Sequence, residues 1–232
     1  VLIKWGLADI APIKFAALRY SMATLCLLPF AIRKSQFNQV KQLTPKEWLL
    51  LILYGLIFFG FTQGAQFVAL KYIPAISASL VLSFTIIAVT LIAIPLLQEI
   101  PTPRQWWGIS FFLIAVLLYF LPLNFQKEQW IGFVVITLGM VSNAAGTLLG
   151  RKINSTSRIS SRMVTVISMG IGALLLQAAS VFEGKMPVLS ILQWLVIIWL
   201  AVVNSAFAYV LWNHSQKTLP ARESSLINNT ML

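Results

Sequence analysis

The sequence predicts an all-α fold, a polytopic transmembrane helical bundle whose two halves are inverted repeats of one another. Three observations predict it. The chain of 232 residues is 59% hydrophobic and only 10% charged, with a mean hydropathy of +0.85, whereas a soluble domain is about a quarter charged. Apolar runs of roughly 20 residues, the length needed to cross a bilayer, alternate with short breaker-rich connectors. One segment also recurs later in the chain, corner included.

Taken in order, the runs are a stub at Val1 to Leu7, then Ile13 to Ile32, Trp48 to Leu70, Ser77 to Leu97, Trp107 to Leu121, Ile131 to Leu149, Met163 to Val181 and Leu192 to Trp212. A further helix opens at Ser224. Pro12, Pro45, Pro74, Pro101 with Pro103, Pro122, Pro187 and Pro220 punctuate the joins, because proline cannot continue a preceding helical ladder. The start VLIKWGLADI and the end SLINNTML both read as helices cut short. A fragment of a longer protein is expected.

Charge orients the bundle. With alternate connectors assigned to one side, that side holds Arg33, Lys34, Lys41, Lys46, Arg104, Arg151, Lys152, Arg158, Arg162, Lys217 and Arg222, eleven of the seventeen basic residues. The other side holds Lys14, Lys71, Lys127 and Lys185. The bias places the first set, and the N-terminus, on the cytoplasmic side. The net charge of +11 lies in short tracts beside apolar runs, so its partner is the lipid bilayer and not a nucleic acid. Cys26 is the single cysteine, which rules out an intrachain disulfide.

KYIPAISASL from Lys71 returns as KTLPARESSL from Lys217. At that offset Trp48 falls on Trp194, Leu49 on Leu195, Ile52 on Ile198, Phe61 on Phe207, Pro74 on Pro220, Ala75 on Ala221, Ser79 on Ser225 and Leu80 on Leu226. By the charge count the first corner lies outside and the second inside. The repeated unit therefore has an odd number of spans and its copies are inverted, a recurrent build of secondary transporters with a site between the halves.

WGLADIAPIKFAALRYSMATLCLLPF resembles the first-to-second helix passage of EamA-type members of the drug/metabolite transporter superfamily. The run from Lys71 to Phe120 resembles their third-to-fifth helix signature, with Glu99 ending the fourth helix and Gly108 opening the fifth. The resemblance implies ten helices in two five-helix inverted repeats, here residues 1–124, with the first helix incomplete, and 125–232, truncated in the ninth. It implies multi-pass placement in a bacterial cytoplasmic membrane and export of a small metabolite, often an amino acid or a relative. Sugar-phosphate and nucleotide-sugar carriers of the same superfamily are the alternative within it.

Polar side chains inside spans mark candidate sites, since lipid offers them no partner. Phe59, Gln63, Gln66 and Leu70 share a helical face, and their repeat counterparts are Ser205, Tyr209, Trp212 and Gln216. Gln63, Gln66, Tyr209 and Trp212 are therefore expected to touch a small-molecule substrate across a central cavity. Interhelical hydrogen bonding is the competing reading. Asn143 is a further candidate beside Gly139 and Gly146, which suit close packing; Asn228 and Asn229 suit a zwitterion or amide; Lys4 suits a carboxylate. His214, the sole histidine, is a candidate proton relay or an ordinary interfacial residue. Arg19 reads as a structural anchor that snorkels to the outer headgroups.

The chain has one aspartate, Asp9, and no nucleophile motif, paired-cysteine metal motif, phosphate-binding loop or dinucleotide fingerprint, so neither an enzyme nor a cofactor is expected. An alternating-access carrier, proton-coupled or exchanging, is favoured over a channel, which would use a ring of polar residues from an oligomer. A homodimer and a non-transporting scaffold stay open.

Overall fold

The structure, a computed structural model, describes residues 10–31, 39–97, 102–120, 127–156, 159–184, 187–217 and 219. Every regular element among them is helical. In chain order these are α1 (Pro12–Ala31), α2 (Pro45–Tyr72), α3 (Ala75–Pro95), α4 (Pro103–Phe120), α5 (Lys127–Thr156), α6 (Ser161–Ser180) and α7 (Ile191–Ser215). The spans α2, α3, α5 and α7, and α6 with its trailing turn to Glu183, are long and apolar enough to cross a membrane. Large apolar side chains that face outward, such as Phe111, Leu118, Leu138, Leu174 and Phe207, form the surface that lipid covers.

Local chemistry sets the helix ends. Thr44 and Glu47 form a reciprocal capping box at the start of α2, and Ser190 and Gln193 form the same box at the start of α7; each satisfies two otherwise orphaned backbone N–H groups. At the Lys71 corner α2 stops at Tyr72, Ile73 is extended (φ −126°, ψ 155°), and the next helix resumes at Ala75. The residue before a proline is driven out of the helical region, so Pro74 fixes this turn. At α1, the Glu183 carboxylate accepts from the backbone N–H groups of Ile13 and Lys14 at 3.2 and 2.9 Å. A negative group at a helix N-terminus is favoured by the partial positive charge there.

Both α2 and α7 contain a π-helical segment, Gly55–Phe61 and Leu200–Phe207. A π segment closes its backbone with hydrogen bonds five residues apart, as the Thr62 N–H does to the Ile57 carbonyl. The Ile57 carbonyl is met by the hydroxyls of Thr62 at 2.9 Å and Ser142 at 3.1 Å. In lipid such groups must be satisfied within the protein.

Packing is centred on α2, which lies against both α5 and α6. A side chain at Gly172 of α6 would stand 2.4 Å from Phe59 Cβ, and one at Gly146 of α5 would stand 2.7 Å from Phe58 Cβ. Both glycines let helix backbones approach where a methyl group would collide. Gly139, beside Ala65, plays the same packing part that its small size suggests. The helix expected over Ile131 to Leu149 runs on to Thr156, because Arg151 and Asn154 find partners on α7 and its end instead of turning into a loop.

Candidate functional site

The centre of the bundle is an aromatic and hydrogen-bonded layer contributed by α1, α2 and α7. Phe58 and Phe59 come from the α2 π segment and Gln63 from the helical turn after it. The Gln63 side-chain amide donates to the Tyr209 hydroxyl of α7 at 2.8 Å. That hydroxyl lies 3.4 Å from the hydroxyl of Tyr20 on α1. Phe59 packs edge-on against Tyr209 with ring centroids 4.9 Å apart, and Phe58 stacks on Trp212 at 6.2 Å. All five aromatic residues are buried.

Arg19 occupies the same layer. It is 5% exposed. Its Nε donates to Ser205 Oγ at 2.8 Å and an Nη reaches the Asn204 carbonyl at 3.5 Å. The guanidinium carbon lies 5.5 Å from the Tyr20 ring centroid and 5.8 Å from that of Phe67, within range of a cation–π attraction. This corrects the snorkelling anchor: the side chain turns inward, because a hydroxyl and two aromatic faces await it there.

A second polar layer is built around Asn213. Its carbonyl oxygen accepts from Tyr54 Oη at 3.2 Å and Asn154 Nδ2 at 2.7 Å. Its amide donates to Thr165 Oγ1 and the Tyr209 carbonyl, both at 3.0 Å. Gln216 accepts from Asn154 and donates to the Thr147 carbonyl. Asn154 Oδ1 has no hydrogen-bond partner among the described residues, while the paired members of this buried network favour one packing arrangement.

Of the residues singled out in the sequence, Gln63, Tyr209 and Trp212 are brought together in the buried centre. Gln66 is half-buried and makes none of these bonds. Asn143 is buried elsewhere, donating to Thr85 Oγ1 at 3.4 Å, and so ties α5 to α3. His214 is exposed, while its neighbour Asn213 is buried. Lys4, Asn228 and Asn229 lie outside the described residues. Tyr20, Tyr54, Asn154 and Asn213 were missed. For Asn213 the signal existed: Ser205, Tyr209 and Asn213 recur every four residues on one helical face. Among the described residues, no cluster of three or more His, Cys, Asp or Glu could hold a metal ion. What the centre offers is hydrogen-bond donors and acceptors, aromatic faces and one cation.

These features define a helical membrane protein with a polar, aromatic centre enclosed by lipid-facing helices. The chain belongs to the EamA-like transporter family, whose profile matches residues 1–121 and 125–232. It is 29% identical to the uncharacterized transporter YyaM of Bacillus subtilis over 98% of this chain and 76% of that protein. It is 25% identical to the biotin transporter of Salmonella typhimurium over 93% of this chain and 70% of that one, and 24% identical to an uncharacterized transporter of Archaeoglobus fulgidus over 93% and 74%. A solved crystal structure shares the fold with a TM-score of 0.76 at 17% identity, covering 99% of this chain and 78% of the other.

Proposed function

We propose that this chain is a secondary transporter that moves a small polar metabolite, an amino acid or related compound, outward across the bacterial cytoplasmic membrane by alternating access. Residues 1–124 and 125–232 are its inverted halves and the N-terminus is cytoplasmic. The observation that carries the reading is the Gln63–Tyr209 hydrogen bond, which joins positions 146 residues apart, the repeat offset itself. Tyr54 meets Asn213 while Gln63, further along α2, meets the earlier residue Tyr209. The two spans thus cross in opposite directions, as copies related by an axis in the membrane plane must. When the halves rock about that axis, the faces bearing Gln63, Tyr209 and Trp212 open first to one side and then to the other.

Facilitated exchange is the second reading, and proton coupling the first alternative to it. Of the described carboxylates, Glu128 is exposed and Glu47 and Glu183 are half-buried at the starts of α2 and α1, and His214 is exposed, so among the described residues the hydrogen-bonded centre holds no carboxylate or histidine. Uptake of a panel of amino acids, dipeptides, nucleosides and sugars by the full chain in proteoliposomes, with and without an imposed proton gradient, tests both. Saturable uptake of one class supports the carrier, and enhancement by the gradient selects proton coupling. Absence of uptake from folded protein across the panel counts against transport.

A further inference from the structure

We infer that Arg19 is the carboxylate-binding residue of the transport site, so that the substrate is an organic acid whose carboxylate docks on this guanidinium between α1 and the π segment of α7. The inference rests on the carrier reading above and adds the chemical class of its substrate.

A charged side chain within a membrane-spanning bundle is costly, because lipid offers it no partner. Such a cation persists where an anion meets it or where it has work to do. Among the described residues, the groups that meet Arg19 are the Ser205 hydroxyl, the Asn204 carbonyl and the rings of Tyr20 and Phe67, and all are neutral. A guanidinium carries five N–H donors in a planar fork. The contacts with Ser205 and Asn204 engage Nε and one Nη, which leaves the other Nη free for an acceptor. A carboxylate matches that fork with paired hydrogen bonds.

The surroundings suit the same ligand. Ser205 Oγ accepts from Nε and also faces the Tyr20 hydroxyl, so it holds the guanidinium beside the polar groups of α1 and α7. Tyr20 links the guanidinium to the Tyr209 and Gln63 pair through its ring and its hydroxyl. A substrate anchored on Arg19 therefore touches α1, α2 and α7 at once. A purely structural tether to Ser205 would need one neutral donor and would avoid the cost of the charge.

The test compares carboxylic acids with their primary amides on the unaltered full chain in detergent, in a carboxylate-free buffer. The probes are aliphatic and aromatic monocarboxylates, amino acids and biotin, each beside its amide, read by the rise in unfolding temperature with concentration. The expected result is that a subset of acids stabilises the protein and the matching amides bind roughly tenfold to hundredfold more weakly, the range for losing a hydrogen bond to a charged group. Arg19→Gln abolishes the preference and Arg19→Lys retains it in weakened form. Amides equal to acids, a preference that survives Arg19→Gln, or no acid that stabilises the chain would overturn the inference. If Arg19→Gln does not fold, the acid and amide comparison on the unaltered chain and Arg19→Lys decide. Uptake by proteoliposomes separates the two readings: saturable transport of a neutral solute without acid preference removes Arg19 but keeps the carrier, whereas acid-selective binding without any uptake keeps Arg19 and removes the carrier.

Discussion

The amide of Gln63 and the hydroxyl of Tyr209 are hydrogen-bonded at 2.8 Å across an offset of 146 residues, so two positions equivalent in the repeat touch each other. At the same offset Thr44 and Glu47 correspond to Ser190 and Gln193, and both pairs close capping boxes. The π segment Gly55–Phe61 likewise falls on the segment Leu200–Phe207. On the proposed inverted-repeat arrangement, residues that meet their own counterpart lie near the axis relating the copies.

Gln63→Ala and Tyr209→Phe each remove that bond while leaving the apolar packing nearly intact. Each is expected to lower the rate of transport by about tenfold, with protein levels unchanged, and the double variant to lose no more than either alone. Such non-additivity is the signature of groups that act as a pair, with a coupling of about 1.4 kcal/mol, the tenfold itself. Initial rates in proteoliposomes of matched protein content give the comparison.

Gly172→Ala places a methyl group 2.4 Å from Phe59 Cβ and 2.8 Å from the Gly55 carbonyl. The helices must part, at a cost of about 1–3 kcal/mol. Gly108→Ala meets nothing within 4 Å and should leave stability unchanged or slightly raised. Thermal unfolding of the two purified variants in one detergent measures the difference.

Asn213→Leu strips partners from Tyr54, Asn154 and Thr165 at once. Each buried group left unsatisfied costs about 1–3 kcal/mol, so a marked fall in unfolding temperature is expected. His214→Gln, one residue along but exposed, should alter neither stability nor the response of uptake to a proton gradient. A lost proton response in His214→Gln would restore the relay role.

Glu183→Gln keeps the shape of the acceptor that caps α1 but removes its charge. The helix-terminus interaction is worth roughly 0.3–1 kcal/mol, and the loss should shrink as salt screens it. Unfolding measured at low and high ionic strength shows both effects.

The repeat was legible because the Lys-x-x-Pro-Ala corner and the Trp48–Trp194 match survive in both copies, and it was enough to pair Gln63 with Tyr209. The inward turn of Arg19 was not legible. Hydropathy locates a cation near the end of an apolar run but carries no information on which way the side chain points, and that was decided by Ser205, a residue 186 positions away. The π segment of α2 was hidden for a related reason: its Ile57 carbonyl accepts from Ser142, which belongs to another helix. Asn154 lay beyond the expected span, next to Arg151 and Lys152, where polarity suggests a connector and the structure has continuous helix.

Counterflow is the most direct test of a carrier that alternates between its two faces. Proteoliposomes loaded with unlabelled substrate are diluted into labelled substrate, and the initial rate of label entry is compared with that of empty vesicles. An alternating-access carrier gives entry that saturates and is accelerated by substrate inside. Entry that rises linearly with concentration and ignores the internal substrate would contradict it and identify a pore.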